Sequence, residues 1–447
     1  MFAVTALLVL VLFALAAVSP QTFVYFCLWV LTIPYWWNFD VQITFSTPLG
    51  PMNLIAMQLF GFLGACFAIV VRQIDRVFEE IKLYRWHLIF IGFCLLSLIY
   101  APSPAYGIRT LAKLLGPPMF MIVVLLTIKS PEELRRAQNA ILGSGVIILA
   151  LALIAKALGA RAVPEQGLAT IGPPGMGPAV FCAHMLPVSM LAFAAYLCER
   201  KMKYLVLTVA FAISIAVALQ RTSAGALFLG FSLIAFFATR GIARLVLPVA
   251  GVMGLPVLLV FNDAFRKRMF FQDKSSQDII ADPTSALQSV DASGRFALWD
   301  RVLRRFFDPH PIVGSGIGST QDLLYSANRG QGVVHSEYVR LLCEVGLLGL
   351  SLFVAAAVAY LLIIKNCVAH ANGASQRTPA LAALGSLVAY LIYFATDNGI
   401  DYVSQIGIYV FALIAVAVNA GRLASVPSPS RAEPVVADAR PFPNLMR

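Results

Sequence analysis

Three side chains in this sequence have the type and setting for phosphate and proton chemistry. His335 lies in Val334-His335-Ser336-Glu337-Tyr338, just before a long apolar block. An imidazole there could take a proton from a hydroxyl near neutral pH, or it could be a capped histidine at a membrane boundary. Arg221 lies in Val217-Ala218-Leu219-Gln220-Arg221-Thr222-Ser223-Ala224-Gly225, a short break between two apolar blocks. Arginine near hydrocarbon costs up to ~3 kcal/mol on insertion scales, so a compensating anion is expected. Its guanidinium can grip phosphate oxygens with two parallel hydrogen bonds, which lysine cannot, or it can snorkel to lipid headgroups. Arg295 opens an amphipathic segment in a long polar stretch, and Asp397 and Asp401 share the run Thr396-Asp397-Asn398-Gly399-Ile400-Asp401. Those two carboxylates could orient the histidine, position an acceptor or cap helices.

The elements that must position these groups are set by composition. Hydrophobic residues fill 60% of 447 positions and charged residues 12%, about half the charge of a soluble domain. The apolar residues form uncharged blocks of roughly 15 to 22, near the ~20 helical residues that cross a ~30 Å hydrocarbon layer. Thirteen blocks are centred near Leu10, Leu28, Phe62, Phe93, Met121, Ile148, Met190, Phe211, Leu233, Met253, Val358, Leu387 and Val410. Continuous runs, in place of ~10-residue alternation, exclude a β-barrel. The expected fold is an all-α polytopic transmembrane helical bundle of about twelve spans. The pair Phe2–Val18 and Thr22–Trp37, broken only by Ser19-Pro20-Gln21, is where the count is least secure, the opening segment being short, bent or signal-like.

Orientation follows from Lys and Arg in short loops. Arg72–Arg85, Lys129–Arg136, Glu199–Lys203, Arg240–Arg244, Lys365–Arg377 and the tail after Ala420 are basic and alternate with less basic loops, which places all six in the cytoplasm. The expected units are amino-terminal spans (1–261), an outward, periplasmic loop region (262–343), carboxy-terminal spans (344–420) and a cytoplasmic disordered tail (421–447). The formal charge of +11 sits mostly in the cytoplasmic loops, so membrane lipids are its expected partners and nucleic acid is not. The seven cysteines lie in or beside apolar blocks and form no CxxC pair, so neither a disulfide framework nor a redox pair is expected. His184, inside a block, is expected to be hydrogen-bonded within the bundle.

The outward loop carries ten Lys or Arg against nine acids. Within it, Arg295–Asp308 is predicted to be an amphipathic helix, with Phe296, Trp299, Val302, Leu303 and Phe306 on one face and Arg301, Arg304, Arg305 and Asp308 on another. Ser293 is a plausible cap, and Pro309 and Pro311 stop the helix. Arg301 and Arg305 could meet interfacial phosphates or form a solvated face over a small core. Pro311-Ile312-Val313-Gly314-Ser315-Gly316-Ile317-Gly318 lacks the Lys-Ser/Thr of a nucleotide loop and follows no strand. A tight turn is expected there. The outward segments hold no Asp-x-Asp pair and no His/Cys cluster at ligand spacing, so neither a metal nor a cofactor is expected.

Taken in order, Arg221–Gly225, then Gly294-Arg295-Phe296-Ala297-Leu298-Trp299, Gly314–Gly318, His335-Ser336-Glu337-Tyr338 and Glu344-Val345-Gly346-Leu347-Leu348-Gly349 resemble the O-antigen ligase and polymerase superfamily over about Gln220–Gly349. Family members often have Asn after the histidine, where this chain has Ser336. The resemblance implies a metal-independent, inverting glycosyltransferase with an undecaprenyl-pyrophosphate-linked glycan as donor. The ligase branch uses lipid A–core oligosaccharide as acceptor, at the periplasmic face of the inner membrane. Arg221 and Arg295 would hold the donor pyrophosphate, and His335 would deprotonate the acceptor hydroxyl. A chain polymerase would share all of this except the acceptor. The ligase is favoured because the other sizeable outward loops, Asn38–Asn53 and Gly159–Gly175, carry no basic residue and Arg161 alone, respectively. A transporter is the alternative from another class; it would show internal repeats or midplane charges, and no repeat is evident.

Overall fold

The computed structural model describes residues 2–32, 44–47, 50–159, 171–173, 176–263, 266, 295–321 and 334–425. The chain is an all-α bundle with one small hairpin. Its elements are α1 (Phe2–Val18), α2 (Pro20–Val30), strands β1 (Thr44–Thr47) and β2 (Gly50–Asn53), α3 (Leu54–Arg72), α4 (Ile74–Glu79), α5 (Ile81–Ser97), α6 (Pro104–Thr127), α7 (Pro131–Ala157), α8 (Pro178–Glu199), α9 (Met202–Val217), α10 (Arg221–Ala238), α11 (Ala243–Phe261), α12 (Arg295–Val302), α13 (Glu337–Ala369), α14 (Ala374–Tyr393) and α15 (Ile408–Ser425). The two strands pair antiparallel, Thr44 opposite Asn53. All thirteen expected centres fall inside helices.

Among the described residues, seven helical stretches are long and apolar enough to cross a membrane, and α1, α3 and α9 are shorter apolar helices. The ambiguous opening resolves into two helices. Ser19 caps α2, its hydroxyl accepting from the Thr22 N–H at 3.3 Å, and Pro20 takes the first helical position. Both are short: α1 has 17 residues and α2 has 11, the latter reaching only ~16 Å. Ser293, Gly294 and the tail after Ser425 lie outside the described residues, and so does most of Gly159–Gly175. The expected boundary at 343/344 falls inside α13, which begins at Glu337.

Burial distinguishes core helices from outer ones. Helices α6, α8 and α15 are covered on nearly every side, whereas α5 and α13 expose Leu95, Leu96, Leu347, Val354 and Leu362. Such a face would be a liability in water and is at home against lipid. Two polar side chains inside the bundle show how partners are found there. Asn419 on α15 donates its amide to the carbonyls of Ile128 and Leu125 at 2.7 and 3.2 Å, satisfying the end of α6. His184 lies edge-on to Tyr409 with its ring nitrogens near Thr32 and Ser144, as expected of a bundle histidine.

The glycine-rich segment is the tight turn expected, and its job is to splint a broken helix. Gly346 interrupts α13 with φ 65° and ψ −169°. The amides freed by that break, Leu347 and Leu348, donate to the carbonyls of Pro311 and Ile312 at 2.9 and 3.0 Å. The freed carbonyls of Cys343 and Glu344 accept from Ser315 and Gly316 at 3.0 and 2.9 Å. These four polar groups released by the kink are therefore satisfied inside the protein, as hydrocarbon surroundings demand. Gly316 has φ 94°, and a Cβ there would stand 2.4 Å from the Ala101 Cα. Gly316→Ala is expected to destabilise the fold by at least ~1–2 kcal/mol from the left-handed backbone alone, measured as a lowered unfolding temperature in detergent.

Candidate functional site

The three anchors each stand at the start of a helix, at one end of the bundle. A connection of only three residues, Ala218 to Gln220, joins α9 to α10 and makes Arg221 the first residue of α10. Leu219 in that connection takes φ 58°, which sharpens the reversal. Arg295 is the first residue of α12. His335 precedes Ser336, whose hydroxyl caps α13 by accepting from the Val339 N–H at 3.4 Å. Asn and Ser are comparably good caps, so Ser336 serves this position as well as Asn would. The amino-terminal ends of helices favour anions.

These helix starts are drawn together by the turn between α14 and α15. Thr396 accepts from Arg295 Nη1 through its carbonyl at 2.6 Å and hydrogen-bonds Thr222, the neighbour of Arg221, through its hydroxyl. Asp397 Oδ2 accepts from Gln220, the other neighbour of Arg221, at 2.6 Å. Asn398 clamps the histidine twice: its Oδ1 accepts from the His335 backbone N–H at 3.0 Å, and its Nδ2 lies 3.3 Å from His335 Nδ1. The clamp accompanies a φ of 57° at His335, a conformation rare outside glycine and one often retained at functional positions. Three consecutive residues thus touch Arg295, both neighbours of Arg221, and His335.

The two aspartates have separate duties. Asp397 neighbours the histidine clamp but bonds Gln220, the Asn398 amide at 2.8 Å and the Tyr402 hydroxyl at 3.4 Å. Asp401 faces a buried ion cluster: Lys113 Nζ at 2.6 Å and Arg340 Nη1 at 3.4 Å. Arg340, 4% exposed, also lies 3.5 Å from Glu337 and 3.4 Å from Glu344, and donates to Thr110 at 2.8 Å. Burial alone would push the Asp401 carboxyl up, but Lys113 and Arg340 more than offset it and hold the group well below the usual carboxylate range. Glu337 accepts from the Ile400 N–H at 2.9 Å, and the Glu337 N–H donates to the Phe394 carbonyl at 2.9 Å. The cluster pins the start of α13 to α6 and to the α14–α15 turn. Removing one member would strand a buried charge.

The amphipathic segment has nearly the expected length but changes its winding part-way. Regular helix ends at Val302 and continues as a wider π turn over Leu303–Phe307. Val302 and Phe306 are buried against Val334 and Cys343, with Trp299 and Leu303 packed alongside, and Trp299 Nε1 donates to the Val334 carbonyl at 2.9 Å. Phe296, expected on that face, is instead 67% exposed and stacks edge-on against Trp299. The small core lies under the later turns, so the helix start overhangs it. Arg301 and Arg305 are exposed, and Arg304 pairs with Asp300 at 3.0 Å. Among the described residues, no group of three His, Cys, Asp or Glu side chains is disposed as metal ligands.

Residues 206–354 match the O-antigen ligase family. The match is to an O-antigen ligase domain. That domain, about a third of the chain, runs from α9 through α12 into α13 and contains Arg221, Arg295 and His335. No curated protein matches the chain. The turn that gathers the anchors, Thr396 to Asp401, lies beyond the matched stretch, so the ligase domain relies on the last two helices of the bundle to bring its residues together.

Proposed function

We propose that this protein transfers O-antigen polysaccharide from undecaprenyl pyrophosphate to lipid A–core oligosaccharide, at the periplasmic face of the bacterial inner membrane, without a metal. The observation that carries this reading is the meeting of the helix starts bearing Arg221, Arg295 and His335 at the Thr396–Asn398 turn. In the proposed step the acceptor hydroxyl oxygen forms a bond to the anomeric carbon as the carbon–oxygen bond to pyrophosphate breaks, inverting that centre. Arg221 and Arg295 neutralise the charge that develops on the leaving pyrophosphate, and His335 takes the hydroxyl proton. Pyrophosphate leaves readily, so stabilising its charge is the main demand on the protein.

Disrupting the gene tests the reading directly. Surface polysaccharide should lose all long chains while the core stays intact, and glycan should accumulate on its lipid carrier. A core bearing a single repeat would indicate a polymerase instead, and unchanged glycan would favour a transporter. Purified protein should retain full transfer in excess EDTA; activity that vanishes there and returns with Mg²⁺ would overturn the arginine clamp. For orientation, cysteines placed at exposed Asp300 and Ile312 should react with a membrane-impermeant thiol reagent from the periplasm, and one at Ser375 should not. The reverse labelling pattern would invert the topology.

A further inference from the structure

At the end of the bundle away from the three anchors, the starts of α7 and α14 and the ends of α8 and α15 border a cavity of about 830 Å³. That is within the ~300–1,000 Å³ range of pockets that hold a specific ligand. Its apolar lining comes from Leu134 and Leu142 on α7, Leu191 on α8 and Leu423 on α15. Three neutral amides, Gln138, Asn139 and Gln376, stand among them. The acids beside the cavity are already matched, Glu132 with Arg136 at 2.5 Å and Glu199 with Lys201 at 2.7 Å. Arg135, in the same lining, has no ion-pair partner among the described residues. Gln376 accepts from the Asn372 N–H through Oε1 at 2.9 Å, so its NH₂ group is the part left to bind. Such a lining calls for apolar side chains, for backbone carbonyls to meet the amide NH₂ groups, and for one carboxylate. Those are the groups of a short peptide.

We infer that this cavity receives Phe442-Pro443-Asn444-Leu445-Met446, a segment of the chain's own tail. Helix α15 ends at Ser425, two residues past Leu423 in the cavity lining, so residues 426–447 follow on directly from that lining. The stretch from Leu423 to Phe442 can span up to ~60 Å, ample for a return to the cavity. Pro427, Pro429, Pro434, Pro441 and Pro443 bar a long helix and carry carbonyls without matching N–H groups, which are the acceptors the amides need. Phe442, Leu445 and Met446 supply apolar surface, and Asp438, four residues before Phe442, supplies a carboxylate for Arg135. Tethering holds the segment at an effective concentration on the order of millimolar, so a free partner of like chemistry must bind more tightly to displace it. Seated there, the segment would join α7 and α8 to the ends of α14 and α15 opposite the Thr396–Asp401 turn.

The test uses the full-length protein in phosphatidylcholine vesicles, isotopically light and heavy chains reconstituted together, with the photo-crosslinker p-benzoylphenylalanine in place of Phe442. On illumination, cross-links should join residue 442 to peptides containing Leu134, Leu191 or Gln376 of the same chain. Asn139→Trp, a substitution at an exposed lining position, should lower that yield about fivefold or more at an unchanged unfolding temperature. Cys198 gives a second reading without the crosslinker, since it lines the cavity and is half-buried. Removing residues 426–447, or Leu445→Asp alone, should speed its alkylation by a small maleimide about fivefold or more, while Cys367, equally half-buried but outside the lining, keeps its rate. Cross-links between light and heavy chains would assign the cavity to a second copy and overturn the inference. Cross-links within the chain but away from the cavity, or a Cys198 rate indifferent to both tail variants, would overturn it as well.

Discussion

His335→Ala should lower turnover by roughly 10²–10⁴-fold while donor binding stays close to wild type, because a base acting only in the transition state contributes nothing to ground-state affinity. Direct binding of the lipid-linked donor, measured beside single-turnover transfer, separates the two effects; a parallel loss of binding would make the histidine part of the donor pocket. The Asn398 clamp adds a finer expectation. Its Oδ1 accepts from the His335 backbone N–H and its Nδ2 lies 3.3 Å from His335 Nδ1, so residue 398 faces that ring nitrogen. Asn398→Asp would supply a carboxylate that welcomes an Nδ1–H, stabilising the protonated ring. The acid limb of the pH–rate profile should then move to higher pH, since the ring must lose its proton before it can act. An unmoved limb would mean that Asn398 does not govern the imidazole.

The arginines should respond differently. Arg221→Lys and Arg295→Lys keep the charge but lose the planar fork, so donor binding and turnover should fall together, each by ~10-fold or more, in line with the ~1.5–3 kcal/mol of a hydrogen bond to a charged group. For Arg295 the argument is sharpest, because its guanidinium is already held by the Thr396 carbonyl at 2.6 Å, a contact that aims the rest of the fork. Arginines that merely snorkel to headgroups would tolerate lysine. If both Lys variants restored normal glycan transfer in a strain lacking the gene while Arg301→Ala did not, the clamp would belong to the exposed face of α12 instead.

Much of this was legible in the sequence because hydrocarbon imposes a simple rule: long apolar runs must be helical. Each of the thirteen expected centres lies in a helix for that reason. Glycine spacing likewise marked the 314–318 turn, since alternate glycines signal backbone that other residues resist. What periodicity could not convey was long-range pairing. Asn398 stands beside Asp397, but a neutral amide carries no charge signal, and the histidine it grips lies 63 residues away. Lys113 and Arg340 sit within or at the edge of apolar blocks, and nothing local indicates that they converge on Asp401 from 288 and 61 residues away. The exposure of Phe296 escaped for a related reason: a helical wheel shows which residues share a face but not how far the core beneath extends.

The splinted break in α13 has a consequence for how such proteins can be recombined. Because Pro311 to Gly316 supplies the partners for Cys343 to Leu348, these two stretches behave as one cassette, with neither able to keep its shape beside a foreign counterpart. A chimaera that exchanges the polar loop but retains the host's helix would leave mismatched partners at the base of the segment bearing His335. Exchanging both stretches together would carry the splint across intact.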